Sequence, residues 1–155
     1  MDWQYYAITT KGFPEVANPA LVCRRRTDEH GVVHDEHYGH ELIWAPSDVL
    51  ARLEAGEPTG EMHLVTEDAA VAFEPIQYAR VHMYDPADGK YEYFALVEGG
   101  KTMFAIRTWI SPQGYDLEET HTRSGWLRSY VRSKLERSST GGDLVPITRE
   151  EAEAL

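Results

Sequence analysis

Aromatic and β-branched residues are concentrated in two stretches, one near the start of the chain and one past its middle. They are WQYYAITT (3–10) and YEYFALVE (91–98), and their composition is typical of β-strands. The segments PALVCRRR (19–26) and KTMFAIRTWI (101–110) are predicted to be their hairpin partners. The intervening EGGK (98–101) is a tight Gly-Gly turn signal, so the second hairpin is the more sharply defined of the two.

A polar segment follows each hairpin, at 27–41 and at 111–123, and could form a third strand. A helix is predicted next. In the first half it begins near Pro46 and ends at Gly56, a suitable C-cap. In the second half the helix is indicated by residues at helical spacing, namely Trp126, Tyr130, Val131, Lys134 and Leu135.

A second helix is predicted to close each half, within HLVTEDAAVAF (63–73) and LVPITREEAEAL (144–155). Thr148 and Glu151 form a capping-box pattern, and Thr66 occupies the matching place in the first half. Between the halves, QYARVHMYDPADGK (77–90) predicts an extra strand followed by a turn.

Segments 44–73 and 126–155 align without a gap and are identical at nine of 30 positions, where average residue usage would give about two. Trp44 matches Trp126, and both are predicted to start helices at equivalent buried sites. The fold prediction is therefore α+β, with an internal duplication of a β-hairpin(+strand)-helix-helix unit, pseudo-twofold symmetry and a mostly antiparallel sheet. The first unit is expected in residues 1–76 and the second in residues 77–155, within one compact globular domain. This order of elements is similar, in a general way, to small bacterial proteins, a resemblance that implies no activity.

The chain has 155 residues and a net charge of −11, and the acidity lies mainly in the first half. Residues 1–77 carry 5 Lys/Arg against 14 Asp/Glu, whereas residues 78–155 carry 10 against 12. Such a charge repels phosphate backbones and anionic membranes, so nucleic acid is not an expected partner. The single cysteine, the lack of a long apolar run and the lack of a secretory signal predict a cytoplasmic protein outside the membrane.

Four of the seven histidines lie in DEHGVVHDEHYGH (28–40). A polar hairpin with its turn at Gly31 is the preferred interpretation, with a pH-sensitive contact or a surface metal site at His34, His37 and His40 as alternatives. All three lie close together in sequence and none has a counterpart histidine in the second half, which argues against an ancestral metal site.

Motifs for nucleophilic, phosphate-binding, dinucleotide-binding or zinc-dependent chemistry are not found in the sequence, and no catalytic residue or cofactor is predicted. Alternation puts Cys23 on the same face of its predicted strand as Leu21, and Cys23 is expected to be a buried, unreactive thiol.

The preferred functional hypothesis is a non-catalytic acidic interaction module, such as an inhibitor, immunity-type or adaptor protein, that binds a basic protein partner. One alternative is a small-ligand-binding protein or enzyme with its site between the two repeats, and another is a structural subunit of a larger assembly. The predicted contact surface consists of acidic residues, namely Asp28, Glu29, Asp35, Glu36, Glu54, Glu57 and Glu61.

Overall fold

The computed structural model describes residues 2–137 and 141–155, and the chain divides into two compact units. One unit ends at His82 and the other begins at Met83. Each contains an antiparallel five-stranded sheet and two helices, so the predicted α+β class and antiparallel pairing are confirmed. Residues 138–140, which the aligned segment 126–155 includes, lie outside the described residues.

In the first unit the sheet is a four-strand meander with a fifth strand added beside the first, in the order β4-β3-β2-β1-β5. The strands are β1 (Gln4–Thr9), β2 (Leu21–Thr27), β3 (Val33–Tyr38), β4 (Trp44–Pro46) and β5 (Glu61–Val65). The helices are α1 (Val49–Glu54) and α2 (Glu67–His82). The predicted hairpin of β1 with β2 and the third strand are both present.

The second unit has the order β10-β6-β7-β8-β9, which is again a four-strand meander with the last strand beside the first. Its strands are β6 (Glu92–Glu98), β7 (Lys101–Ile110), β8 (Asp116–Thr122), β9 (Gly125–Arg128) and β10 (Asp143–Ile147). Its helices are α3 (Val131–Arg137) and α4 (Arg149–Glu153). Gly99 and Gly100 have φ of 57° and 76°, which confirms the predicted tight turn between β6 and β7.

Strand alternation explains which face of the first sheet each helix of this unit covers. Neighbouring residues of a strand point to opposite faces, so Val22 and Cys23 of β2 lie on different sides of the sheet. Leu50 of α1 packs against Cys23, and Phe73 of α2 packs against Val22. The two helices therefore cover opposite faces of the first sheet, with an apolar core under each.

The structure differs from the predicted elements in three respects. Residues 61–65 and 143–147 form edge strands, because β5 pairs with β1 and β10 with β6. Residues 77–82 belong to α2 rather than to an extra strand, and Gln77 is buried on this helix as Phe73 is. Trp44 and Trp126 lie in the short strands β4 and β9 instead of starting the helices.

Helix α2 also runs through residues 76 and 77, where the boundary between repeats was predicted, so the first compact unit extends beyond residue 76. The starts of α2 and α4 follow local chemistry. Thr148 accepts a hydrogen bond from the backbone N–H of Glu151, and Thr66 accepts one from Ala69, so both predicted caps are confirmed.

Among the helices in the described part of the chain, none has the length and apolar character needed to cross a bilayer.

Candidate functional site

An arginine on the first sheet lies between two aromatic rings. The guanidinium carbon of Arg24 is 4.2 Å from the ring centroid of Trp3 and 4.4 Å from that of Trp44. Arg24 Nε donates to Glu36 Oε1 at 2.7 Å, and the two residues are direct cross-strand partners on β2 and β3. The planar guanidinium thus uses its faces for cation–π contacts and its edge for an ion pair.

The second sheet has the same arrangement. The guanidinium carbon of Arg107 is 4.1 Å from the ring centroid of Tyr91 and 4.6 Å from that of Trp126. Arg107 Nε donates to Glu119 Oε1 at 2.9 Å. In each unit the glutamate follows its arginine by 12 residues in sequence and lies opposite it in the sheet. The matched tryptophans, predicted to be buried, are half-buried and each covers one face of an arginine.

Arginines of the first unit also bind three of the acidic residues predicted to contact a partner. Arg25 forms a bidentate pair with Asp35, at 2.7 and 2.8 Å, and donates to Glu54 at 2.6 Å. The hydrogen bond from Arg25 lowers the pKa of Glu54, and the positive charge of Arg25 acts in the same direction. Arg52 lies 3.5 Å from Glu57. The positive charge of the unit's own arginines therefore offsets much of this predicted acidic surface.

Asp28 is held in the hairpin turn. Its carboxylate is 2.8 Å from His34 Nε2 and accepts hydrogen bonds from the backbone N–H groups of Val32 and His30. These hydrogen bonds lower the pKa of Asp28, and the bond with His34 has the largest effect. Glu29 and Glu61 are the remaining predicted contact residues, and their side chains are 79% and 82% exposed, respectively.

The histidine-rich stretch forms the predicted hairpin, with Gly31 in the turn at φ 78°. On β3, His34 lies opposite Arg26 of β2 and His37 lies opposite Cys23. Because His34 and His37 are three residues apart on one strand, their imidazoles lie on opposite faces of the sheet. Within the described residues, no three His, Cys, Asp or Glu side chains come together as metal ligands would. The alternative of a metal site at these histidines is therefore not supported.

Cys23 is 1% exposed, which confirms the expected buried thiol. Burial, followed by the nearby charge of Asp35, raises the pKa of the thiol to about 12. The thiol therefore stays protonated at neutral pH, and a protonated thiol is a poor nucleophile. The arrangement gives Cys23 a packing role in the core beside Leu50 and Ile8.

Helix α2 carries apolar side chains on its outer face as well as on the face that packs against the sheet. Val71, Pro75 and Tyr78, which we call the outer stripe, follow one another at helical spacing of four and three residues. Val71 is 52% and Tyr78 58% exposed. Sequence reasoning missed this stripe because it placed the closing helix within 63–73 and predicted an extra strand and a turn in 77–90, although the spacing of the three residues is visible in the sequence.

Carboxylates border the outer stripe. Glu67 and Asp68 lie in the first turn of α2 and are exposed, and Glu74 lies on the flank of the stripe. Unlike the carboxylates of β3, these three form no ion pair with any residue in the described ranges. The result is an apolar strip with uncompensated negative charge along its edges.

Comparison of the chain with protein-family models, with curated proteins and with solved structures found no match.

Proposed function

We propose that this protein is a non-catalytic acidic interaction module, of the inhibitor, immunity or adaptor kind, that binds a basic protein partner through the outer face of α2. The observation that carries the proposal is the outer stripe of Val71, Pro75 and Tyr78. A surface helix usually has one apolar stripe, which faces the core, yet α2 buries Phe73 and leaves a second apolar stripe in solvent. A partner surface would bury that second face.

Tyr78 is the expected anchor of the contact. Tyrosine is enriched among the residues that dominate interface energies, because its ring buries a large area while its hydroxyl keeps a hydrogen-bonding group. Pro75 supports the same role, since proline has no N–H and leaves the Val71 carbonyl without its helical donor. That carbonyl is then available to a donor on the partner.

The carboxylates beside the stripe favour a partner with a basic rim. Charge at the edge of an interface mainly increases the association rate and excludes partners of like charge. The net charge of −11 acts in the same direction over longer distances. Asp28, Glu29, Asp35, Glu36, Glu54, Glu57 and Glu61 stay a predicted second contact surface, weakened by the ion pairs that several of them already form.

We also propose that the two units are copies of one ancestral unit and that the module acts in the cytoplasm. The duplication is supported by the shared strand order and by the recurring pair of Arg24 with Glu36 and of Arg107 with Glu119. The location is supported by Cys23, a buried free thiol and the only cysteine of the chain.

The test uses the tagged full chain to recover a partner from cells that express it, followed by kinetic binding measurements with the recovered protein after purification. Tyr78→Ala is expected to weaken affinity by about 30-fold, the effect of losing an anchor worth about 2 kcal/mol. The pair Glu67→Lys and Asp68→Lys is expected to lower mainly the association rate, with a difference from wild type that shrinks as salt is added.

The matched control is the pair Glu150→Lys and Glu151→Lys, which makes the same charge change in the first turn of α4. It should leave binding unchanged. Normal binding by Tyr78→Ala would refute the α2 surface. Loss of binding in a Glu54, Glu57 and Glu61 triple reversal to Lys, with Tyr78→Ala unaffected, would move the contact to α1 and the turn after it.

A further inference from the structure

An apolar groove lies in the first unit between α2 and the loop that joins β1 to β2. Its volume is about 420 Å³, within the range of about 300–1,000 Å³ that is usual for small-molecule sites. All of its lining residues have apolar side chains, and those that shape it most are Val16, Pro19, Val22, Phe73 and Ile76. The walls therefore offer a ligand van der Waals contact and no side-chain hydrogen bond.

A cation lies at the edge of this groove. Arg80 Nη1 donates to the carbonyl oxygen of Pro19 at 2.7 Å, and the guanidinium carbon is 5.5 Å from the ring centroid of Phe73. Pro19 and Phe73 both line the groove. A second ring, that of Phe13, lies 4.3 Å from the same guanidinium carbon. The charge is therefore half-buried among aromatic rings beside an apolar space.

Every acceptor that the described residues give Arg80 is neutral. They are the backbone carbonyls of Pro19 and Ala20 and the side-chain amide oxygen of Asn18. Arg24, in contrast, is paired with a carboxylate. Burial lowers the pKa of Arg80, which is the direction expected of a desolvated cation without a counter-ion, although an arginine remains charged at neutral pH.

The donor count leaves room for an anion. A guanidinium has five N–H groups, and the three contacts above use two on Nη1 and one on Nη2. Nε of Arg80 donates to none of the described residues, and the Nε–Nη2 edge of a guanidinium is a planar fork that matches the two oxygens of a carboxylate. A half-buried cation beside an apolar cavity is suited to a ligand that joins a hydrocarbon body to one anionic group.

We propose that this groove binds a small amphipathic carboxylate, whose apolar body occupies the groove and whose carboxylate pairs with Arg80. The site is lined by residues of the first unit alone, and it is separate from the outer stripe of α2 and from the acidic surface. It needs no covalent step, metal or cofactor.

The experiment is a calorimetric titration of the full chain with decanoate below its micelle concentration. One-to-one saturable binding is expected. Decanol, which has the same chain without the charge, should bind about tenfold more weakly or worse, because it lacks a charge-assisted hydrogen bond worth about 1.5–3 kcal/mol. Decyl phosphate serves as a third probe, and tighter binding of the phosphate than of decanoate would overturn the assignment to a carboxylate.

Two variants of α2 locate the site. Ala72→Phe adds a ring to the groove wall at an exposed position, so it should leave the fold intact and weaken decanoate binding by at least about tenfold. Ala79→Phe makes the same change on the same helix away from the groove lining, and it should leave affinity unchanged. Equal effects of the two variants would refute the location.

The role of Arg80 needs a readout that separates charge recognition from loop bracing, since Arg80 also bonds Pro19 and Asn18. Arg80→Gln should reduce the preference for decanoate over decanol to about one, while the affinity for decanol changes little. A preference that persists in this variant would overturn the pairing. Non-saturable binding of decanoate by the wild-type chain would overturn the proposal as a whole.

Discussion

At the residue scale, two half-buried arginines have matching environments. Arg24 and Arg107 each lie between two aromatic rings and bond a glutamate on the next strand. Planarity matters here, because a flat cation can contact aromatic rings with its faces and still donate hydrogen bonds from its edge, where Nε and Nη2 both approach one oxygen of the glutamate. Lysine at the same place keeps the charge and loses the stacking geometry.

Arg24→Lys is therefore expected to lower the free energy of unfolding by about 1–2 kcal/mol, as a cation–π contact in a partly desolvated site would. Arg107→Lys should behave alike. Urea denaturation followed by tryptophan fluorescence measures both. The control is Arg52→Lys, whose ion pairs are exposed and should contribute less than about 0.5 kcal/mol. Equal losses at Arg24 and Arg52 would show that stacking adds nothing.

Glu118 is the second residue with a special environment, since its side chain is 4% exposed. It accepts hydrogen bonds from the Ser129 hydroxyl, from the backbone N–H groups of Val131 and Arg132, and from Arg132 Nε. Burial by itself raises the pKa of Glu118, but these hydrogen bonds outweigh it, so the net pKa lies below the ordinary value of 4.5. The carboxylate thereby fastens β8 to the first turn of α3.

A depressed pKa in the folded state stabilises the fold above pH 4.5, and this contribution disappears as the pH falls through the folded-state pKa. Glu118→Gln should therefore be less stable than wild type at neutral pH by about 1.5–3 kcal/mol, with a smaller difference in acid. Chemical denaturation over a pH series measures this. Exposed Glu136→Gln is the control and should show no such trend. A pH-independent deficit for Glu118→Gln would contradict the assignment.

Helix α2 differs at the element scale from an ordinary surface helix. It spans Glu67–His82 with Pro75 in its interior, where the missing N–H breaks one backbone hydrogen bond. A helix can keep such a residue when tertiary packing supplies most of its stability, and α2 packs Phe73 against Val22 of the sheet and buries Gln77.

Pro75→Ala restores the missing N–H, so it should raise the free energy of unfolding of the first unit by roughly 1–3 kcal/mol. The same change should weaken partner binding through the outer stripe, because it removes an apolar contact and re-pairs the Val71 carbonyl. Thermal unfolding and the binding assay described above measure the two effects. A variant that gains stability and also keeps full binding would exclude Pro75 from the contact surface.

At the scale of the whole molecule, the chain consists of two compact units, each with its own sheet and its own buried residues. Ile8, Val22 and Phe73 are buried in the first unit, and Leu96 and Ile106 are buried in the second. A unit with its own core can in principle fold alone.

Fragments 1–82 and 83–155, produced separately, are therefore each expected to fold and to unfold cooperatively. Circular dichroism and the spread of amide signals in NMR spectra check this, with the full chain as reference. A fragment split at residue 76, within α2, is the control and should be less stable than fragment 1–82 because it lacks Gln77 and the last turn of the helix. Fragments that remain unfolded alone but fold when mixed would show that the cores depend on each other.

Local chemistry in the sequence determined the parts of the fold that depend on neighbouring residues. The two central hairpins followed from aromatic and β-branched runs, the turn at Gly99 and Gly100 from its dipeptide, and the helix start at Thr148 from its capping box. The turn at Gly31 and the burial of Cys23 followed from spacing and alternation. The two turns and the helix start are set by backbone dihedrals or side-chain bonds within a few residues, and the strands and the buried thiol by composition and alternation along the strand.

Only the tertiary structure decided the features that join distant segments. Residues 61–65 and 143–147 are short runs that become strands because the free edges of β1 and β6 supply their hydrogen bonds. Glu36 and Asp35 looked like free surface charge until the register of β2 with β3 placed them opposite Arg24 and Arg25. Arg80 donates hydrogen bonds to backbone carbonyls of the loop before β2, which lies about 60 residues away in sequence. Pairing over such distances depends on loop closure and packing, which no local pattern records.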